Sequence, residues 1–346
     1  MVQGIGLTGF LYTKRYCTDP RIVGVRRRTT LAGWLVLGQG IGMSAGPFFG
    51  GLLFKIGFGN SVFNGYSAPG WVMASIWILF WVVCSYLFED VPRSTPTQST
   101  EMTSLPPPLA PQPSHAGISP RQWGVIATMC WFAMTCFFIL GAWESNIPVF
   151  ASSSFSPSVP SSISTLARTV PHLKSLTRSF PLPPFHWSPF AAGNFIALGG
   201  VSIFPFLFLN LLLARRTQDR HILAIGSGLG LTGLLTAVAL LRAQPTTDAL
   251  SYGAFFSCWF LVALGFNLAS TCTLSLLSKQ LPASWNGKTS LAIQYSNYMG
   301  RAAGAVWGGS GVKIGMLNYL GVEIAINGIG AVMFMTLWRE LKAKTG

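Results

Sequence analysis

The sequence Gly42-Met-Ser-Ala-Gly-Pro-Phe-Phe-Gly-Gly51 returns 258 residues later as Gly300-Arg-Ala-Ala-Gly-Ala-Val-Trp-Gly-Gly309, and both copies read G-x-x-x-G-x-x-x-G-G. Each copy lies within an apolar stretch that is long enough to cross a bilayer. Glycines at every fourth position share one helix face and allow the backbone of a neighbouring helix to come close. The repeat therefore predicts two equivalent helices in two related halves of a membrane bundle, an organisation common among secondary transporters.

The composition agrees with a membrane protein. Of the 346 residues, 50% are hydrophobic and 9% are charged, whereas soluble domains carry about 25% charged residues. The basic residues lie in links between apolar spans and form no patch with aromatic residues, so the net charge of +14 does not indicate a nucleic-acid partner. Links on one side hold 16 Lys and Arg against 6 on the other, which predicts that the first side is cytoplasmic.

Eight complete apolar spans and one partial span are predicted. The partial span covers residues 1–12 and looks like the second half of a helix. The complete spans cover residues 29–54, 70–88, 122–143, 188–213, 222–242, 251–277, 289–311 and 317–338. Continuous apolar runs of this length predict helices and exclude the alternating strands of a membrane barrel. The predicted fold class is therefore an all-α membrane protein.

Two polar segments interrupt the spans. Residues 89–121 are rich in Pro, Ser and Thr, which predicts a mobile cytoplasmic connector between the two halves. Residues 152–186 are rich in Ser and Pro and have no period. Two interpretations of this second segment stay open: a disordered luminal loop, or a translated intron, since long structureless loops are uncommon in compact domains. Sequencing the transcript across codons 150–188 distinguishes them.

The first glycine sequence carries a resemblance to a known family. Gly33, Gly42, Gly46-Pro47 and Gly50-Gly51 have the spacing of the helix-5 glycine-proline motif of the major facilitator superfamily (MFS), a motif associated with its antiporters. In that superfamily two six-helix halves make helix 5 equivalent to helix 11, where the second glycine sequence falls. The resemblance implies that the eight spans are helices 5 to 12. It also implies that helices 1 to 3 and the first half of helix 4 are absent from this sequence.

This register divides the chain into two unequal parts. Residues 1–88 are expected to be a remnant of the N-terminal half with helices 4 to 6, and residues 122–338 the complete C-terminal half with helices 7 to 12. Residues 89–121 are the linker, 152–186 an insert, and 339–346 a cytoplasmic tail. Leu213–Arg220 resembles the second copy of the basic Asp-Arg cytoplasmic loop of the superfamily, which makes Asp219 and Arg220 its motif residues.

A closer branch is also indicated. The segments Gly70–Ala74, Trp143–Pro148 and Ser188–Asn194 look most like the fungal and plant branch that contains vacuolar SPX-domain transporters, to which the lysosomal ceroid-lipofuscinosis-type members are related. No SPX domain is present in the sequence. The resemblance implies a location in the vacuole or another endomembrane rather than in the plasma membrane.

The glycine sequences are candidates for packing and for gating. The residues concerned are Gly42, Gly46, Pro47, Gly50, Gly51, Gly300, Gly304, Gly308 and Gly309. Small residues allow close helix approach, and Pro47 lacks an N–H and can bend its helix, which suits a helix that rocks against a neighbour. Static packing is the alternative. By resemblance, helix 5 meets helix 8 and helix 11 meets helix 2, so only the first glycine sequence would find its partner in this chain.

Polar residues within the spans are candidates for substrate and coupling sites. Arg301 lies near the middle of helix 11, where an arginine costs ~2.5–3.5 kcal/mol on insertion scales and is functional by default. Its permanently charged guanidinium would hold an anion or a carboxylate, with its partner expected in the absent half. Gln294 and Asn297 precede it on the same face. A structural ion pair or a snorkelling side chain is the alternative.

Three further polar positions belong to this set. Glu144 is predicted to end helix 7, where its carboxylate would bind a proton and couple it to substrate movement, or stand as an interfacial helix end. Asn267 in a polar patch of helix 10 is a candidate substrate contact or an interhelical hydrogen bond. Glu323 and Asn327, one turn apart on helix 12, are predicted to be structural. No metal site, cofactor or nucleotide motif is predicted.

The sequence thus predicts a secondary active transporter of a small molecule or ion that works by alternating access and is driven by protons, and no enzymatic activity. A vacuolar-type anion or phosphate carrier is favoured by Arg301. A proton-coupled drug or metabolite antiporter is favoured by the helix-5 motif. The alternative outside transport is a non-transporting membrane protein or an inactive fragment, because the first helices are absent.

Overall fold

The computed structural model describes residues 25–87, 118–152, 187–214, 216–243, 251–282 and 285–342. These residues form eight helices and contain no strand. The helices are α1 (Val25–Ile56), α2 (Ala68–Leu87), α3 (Pro120–Ser152), α4 (Pro189–Leu213), α5 (Asp219–Ala243), α6 (Tyr252–Gln280), α7 (Asn286–Ile314) and α8 (Met316–Thr336). Each predicted complete span coincides with one helix, which confirms the all-α membrane class.

Six of these helices, α2 to α6 and α8, are long and apolar enough to cross a membrane. The two that carry the repeated glycine sequence, α1 and α7, have the length but are less apolar, because glycines and polar side chains replace aliphatic ones. The partial span predicted at residues 1–12 lies outside the described residues. So do most of the connector 89–121 and of the insert 152–186, and the division into halves stays a prediction.

Three helix pairs make the most extensive contacts in the described bundle: α3 with α7, which run parallel, and α5 with α6 and α1 with α4, which run antiparallel. The helices α3 and α6 lie at the centre, and most of their residues are buried. Their shared core includes the largest enclosed side chains, such as Phe132, Trp259 and Phe266. By contrast, α2 is apolar all round and exposes nearly its whole length.

The second glycine sequence packs onto α3. A Cβ atom at Gly300, Gly304 or Gly308 would overlap the backbone carbonyl of Met134, Phe138 or Ala142, respectively. Only residues without side chains permit backbones to approach this closely. The expected partner was helix 2, so the expectation is corrected for these three glycines: they contact α3, the predicted helix 7. Gly309 lies on a different face of α7, and no described atom lies within 4 Å of its Cβ position.

The first glycine sequence behaves differently. A Cβ atom at Gly42, Gly46 or Gly50 would meet nothing within 4 Å, and only Gly51 lies close to the expected helix 8, here α4. The contact between α1 and α4 uses a neighbouring face instead. At one end, Gly33 meets the side chain of Leu211. The predicted contact between helix 5 and helix 8 is therefore present, but the three regularly spaced glycines Gly42, Gly46 and Gly50 do not make it, because they share a face that no described residue covers.

The contact between α1 and α4 is tighter at its other end. A Cβ atom at Gly51 would lie 3.1 Å from Cα of Phe190, and one at Gly193 would lie 2.5 Å from the carbonyl oxygen of Pro47. Here backbone meets backbone, whereas at Gly33 the contact is with the side chain of Leu211. Among these glycine contacts, the closest backbone approach between α1 and α4 therefore lies at Pro47.

A third glycine contact, between α5 and α6, was not predicted. Gly226 of α5 lies against Ala269 of α6, and Gly230 lies against Gly265. The signal was present in the sequence, since Gly226 and Gly230 have the spacing of a small-residue packing motif. This contact fixes α6 against α5 and so positions the central helix of the bundle.

Candidate functional site

The main polar contact inside the bundle is an ion pair between Arg301 of α7 and Glu144 of α3. Nη1 of Arg301 donates to Oε1 of Glu144 at 3.3 Å, and Nη2 contacts Oε2. Two parallel contacts of this kind are the strong, geometrically specific form of the arginine–carboxylate interaction. The Glu144 side chain is 15% exposed and that of Arg301 is 40% exposed. The carboxylate is thus enclosed while the guanidinium stays accessible.

The glycine contact explains why these two side chains meet. Arg301 follows Gly300 directly, and Gly300 and Gly304 both press on the α3 backbone. In return, a Cβ atom at Gly141 would lie 3.0 Å from the carbonyl oxygen of Arg301. The partner of Arg301 was expected in the absent half, and that expectation is corrected: the partner is Glu144, another residue singled out in the sequence.

Glu144 does not end its helix as predicted, since α3 continues through Pro148 to Ser152. Pro148 lacks an N–H, so the helical acceptor position at the Glu144 carbonyl has no i+4 donor. Asn146 adds an interhelical bond, with its Nδ2 donating to the carbonyl oxygen of Gly308 at 3.0 Å. Proline is tolerated within membrane helices when neighbouring groups support the backbone. The ion pair therefore stands within a locally irregular and externally braced part of α3.

The other predicted substrate contacts are buried, and each forms a hydrogen bond within its own helix. Nδ2 of Asn297 donates to Oε1 of Gln294 at 3.0 Å, and both side chains are enclosed on α7. Nδ2 of Asn267 donates to the carbonyl oxygen of Ala263, one turn earlier on α6, at 2.7 Å. Among the described residues, no hydrogen bond joins Asn267 to Arg301 or Glu144. A direct role of these three residues with substrate stays a prediction.

A second buried carboxyl is bonded to Trp143, the residue before Glu144, and was not assigned to the site from the sequence. Nε1 of Trp143 donates to Oε2 of Glu323 at 2.9 Å, which joins α3 to α8. Glu323 is fully buried, and Trp143 immediately precedes Glu144. Adjacent positions on a helix point about 100° apart. As a result, α3 presents one polar group to α7 and the next to α8.

The cytoplasmic motif residues lie at the start of α5 rather than in a loop. Asp219 is the first residue of that helix, and its Oδ2 accepts hydrogen bonds from Nζ of Lys279 and Oγ of Ser275, both at 2.7 Å. Nη1 of Arg220 donates to the carbonyl oxygen of Trp338 at 3.2 Å. The loop position is corrected. Together the two residues tie the ends of α5, α6 and the segment after α8.

Comparison with curated proteins finds relatives in fission yeast. Two uncharacterized MFS-type transporters of Schizosaccharomyces pombe are 27% identical over 350 residues and 26% identical over 353 residues. Each alignment covers 100% of this chain and 62% of the relative, so the chain spans about 62% of their length. An SPX domain-containing membrane protein of Arabidopsis thaliana is 35% identical over 83 residues, which are 24% of this chain and 12% of that protein.

A family model gives the same placement. The model described as Major Facilitator Superfamily matches residues 1–305. That match includes six of the eight described helices completely, most of α7, and both members of the ion pair. Because the match extends over most of the chain and agrees with its all-helical membrane fold, the chain belongs to the major facilitator superfamily.

Proposed function

We propose that the protein is a secondary active transporter that moves a small anion together with a proton by alternating access. The observation that carries this proposal is the Arg301–Glu144 ion pair, which joins α3 and α7 within the bundle. Its two members differ in accessibility and in their ability to change charge. That difference is what a coupled anion and proton cycle requires.

Arg301 supplies the anion site. Its guanidinium stays charged at physiological pH and presents a planar fork of donors that fits the oxygens of phosphate or carboxylate. Its side chain is 40% exposed, so an anion reaches it without unfolding the helix contact. The anion then replaces the carboxylate of Glu144 as the partner of Arg301.

Glu144 supplies the proton site. Once an anion has taken Arg301, the carboxylate of Glu144 is left enclosed without a counter-charge, which is costly inside a membrane bundle. Binding of a proton removes that charge. One anion and one proton therefore enter together, and return of Glu144 to Arg301 releases both.

The second candidate function is a proton-coupled drug or metabolite antiporter. It is favoured by the helix-5 glycine-proline motif in α1, whose glycines Gly42, Gly46 and Gly50 form an uncovered face among the described residues. An antiporter and an anion symporter respond to opposite proton gradients. The direction of the gradient that drives uptake separates the two.

The test is uptake of radiolabelled phosphate into liposomes that contain the purified protein, with an imposed pH gradient. We expect accumulation when the outside is more acidic than the inside. Arg301→Lys keeps the charge but loses the paired contact, which is worth about 1.5–3 kcal/mol for charged groups. We expect the KM for phosphate to rise roughly 10–100-fold. Glu144→Gln should still exchange phosphate but no longer respond to the gradient.

The matched control is Arg121→Lys, which changes an arginine whose partner is Glu340 at the exposed end of α3. This variant should transport as the wild type does. Wild-type phosphate uptake by Arg301→Ala would overturn the proposed anion site. Uptake of a cationic drug driven by an outward proton gradient would favour the antiporter, and absence of any transport would favour the non-transporting alternative.

For location we propose the vacuole or another endomembrane. The partial similarity to SPX domain-containing membrane proteins, which covers about a quarter of the chain, supports this. Fluorescence microscopy of a C-terminally tagged protein with a vacuolar marker tests it. A signal confined to the plasma membrane would contradict the proposal.

A further inference from the structure

Glu323 of α8 is a carboxyl that the proposed anion cycle does not use. Its side chain is 0% exposed. Oε2 accepts the hydrogen bond from Nε1 of Trp143, 2.9 Å away on α3. Tyr319 and Asn327 lie one turn before and one turn after it on the same face of α8, and both are buried. Glu323 therefore stands in an enclosed polar cluster between α8 and α3.

No cation neutralises this carboxyl within the described part of the chain. No nitrogen of Lys, Arg or His lies within 4 Å of it, in contrast to Glu144, Asp219 and Glu340, which all have such partners. The helices packed against α8 are α3, α5 and α7. Their titratable residues in the described ranges are Arg121, Cys130, Cys136 and Glu144 on α3, Asp219, Arg220, His221 and Arg242 on α5, and Lys288, Tyr295, Tyr298, Arg301 and Lys313 on α7.

Two acceptor oxygens of this cluster have no well-aligned hydrogen-bond donor among the described residues. Oε1 of Glu323 and Oδ1 of Asn327 are both enclosed, and neither accepts a well-formed hydrogen bond from the described residues. The hydroxyl of Tyr319 interacts with the carboxyl but has no well-aligned hydrogen bond of its own. Residues four apart on a helix reach each other. A single proton bound to Oε1 would therefore neutralise Glu323 and provide a hydrogen-bond donor for Oδ1 of Asn327.

The cost of burying charged and unpaired polar groups favours a proton on Oε1 of Glu323. An ionised carboxylate without a partner is strongly disfavoured in a protein interior, and a buried polar atom without a hydrogen bond is also destabilising. A neutral carboxylic acid avoids the first cost and removes the second at Asn327. It also still accepts the indole N–H of Trp143.

We propose that Glu323 is a proton-binding site, occupied in this conformation by a proton on Oε1 that is directed towards Oδ1 of Asn327. The step is simple protonation: the carboxylate takes one proton from water and becomes the neutral acid, and no other bond forms or breaks. Binding of this proton is independent of transport. Its use in coupling, through the adjacent residues Trp143 and Glu144 of α3, rests on the transport function proposed above.

The experiment is infrared difference spectroscopy of the purified protein in lipid nanodiscs between acidic and alkaline buffer. A protonated carboxylic acid has a carbonyl stretching band that an ionised carboxylate lacks. We expect this band in the wild type and in Glu144→Gln, and its loss in Glu323→Gln. An unchanged band in Glu323→Gln, or no such band in the wild type at any pH, would overturn the proposal.

Two milder variants keep the test decisive if Glu323→Gln does not fold. Asn327→Ala removes the acceptor of the acid O–H, and Trp143→Phe removes the donor to Oε2 while it keeps an aromatic ring stacked near Trp259. Each should shift the frequency of the band without abolishing it, and wild-type frequency in both would refute the assignment. The spectrum requires no transport. A protein that shows the band but moves no phosphate would thus contradict only the proposed function.

Discussion

Substitution of Gly304 by alanine is the sharpest test of the contact that builds the site. A Cβ atom there would overlap the carbonyl oxygen of Phe138 and lie 2.8 Å from its carbonyl carbon and 2.9 Å from its Cα. All three atoms belong to the α3 backbone, so no side-chain rotation relieves the overlap. The helices α3 and α7 must separate to accept the methyl group.

The expected magnitude follows from this rigidity. Overpacking of a close-packed interior costs typically about 1–3 kcal/mol, and an overlap with backbone atoms belongs in the upper part of that range, about 2–3 kcal/mol, which exceeds the ~1 kcal/mol that alanine gains over glycine in a helix. Gly309→Ala is the matched control, because it lies on the same helix with nothing within 4 Å of its Cβ position. In Gly309→Ala only the gain in helix propensity of alanine over glycine remains. The two substitutions should therefore shift stability in opposite directions.

The measurement is thermal unfolding in detergent, followed with a thiol-reactive dye. Cys136, Cys258 and Cys272 are free and buried in the folded bundle, so they react only on unfolding. At about 2–4 °C per kcal/mol, Gly304→Ala should lower the Tm by roughly 2–8 °C after the helix gain is subtracted. An unchanged Tm in Gly304→Ala, or an equal fall in Gly309→Ala, would refute the reasoning.

Two other predictions use the same preparation. A double-mutant cycle of Asp219→Ala and Lys279→Ala should give a coupling of about 1–3 kcal/mol, because Asp219 is 1% exposed. The exposed pair Arg121–Glu340 should give only about 0.2–1 kcal/mol, and equal couplings would contradict this ranking. Gly46→Leu should not lower the Tm, because its Cβ position is open and leucine favours a helix over glycine, but it should lower transport if that face closes on another helix during the proposed cycle. Wild-type transport by Gly46→Leu would count against a gating role for the first glycine sequence.

The positions of the helices follow from the sequence because the apolar runs are long. The helix ends do not, since charged residues such as Asp219 and Lys279 extend helices beyond the apolar run and are there paired with each other. Glu144 was predicted to end helix 7. In the structure, Asn146 braces that part of α3 through Gly308, and the helix continues for four residues beyond Pro148.

The members of the candidate site were recognisable one at a time, but their pairing was not. Arg301 and Glu144 were singled out because charge within an apolar span is rare, yet they lie 157 residues apart. Periodicity shows which residues share a face and says nothing about which helix covers it. The glycine sequences show the same limit, since two identical patterns were found, and among the described residues the three regularly spaced glycines lie against another backbone in the second pattern but not in the first.

The contact between α1 and α4 also has a consequence for the transport cycle. Backbone atoms of α4 lie close to Pro47 and Gly51, whereas Gly33 meets the side chain of Leu211. The closest backbone approach in this contact therefore lies at Pro47, which the distribution of basic residues predicts to be on the non-cytoplasmic side. In the transport cycle proposed above, a rocking motion of α1 against α4 would turn about this point.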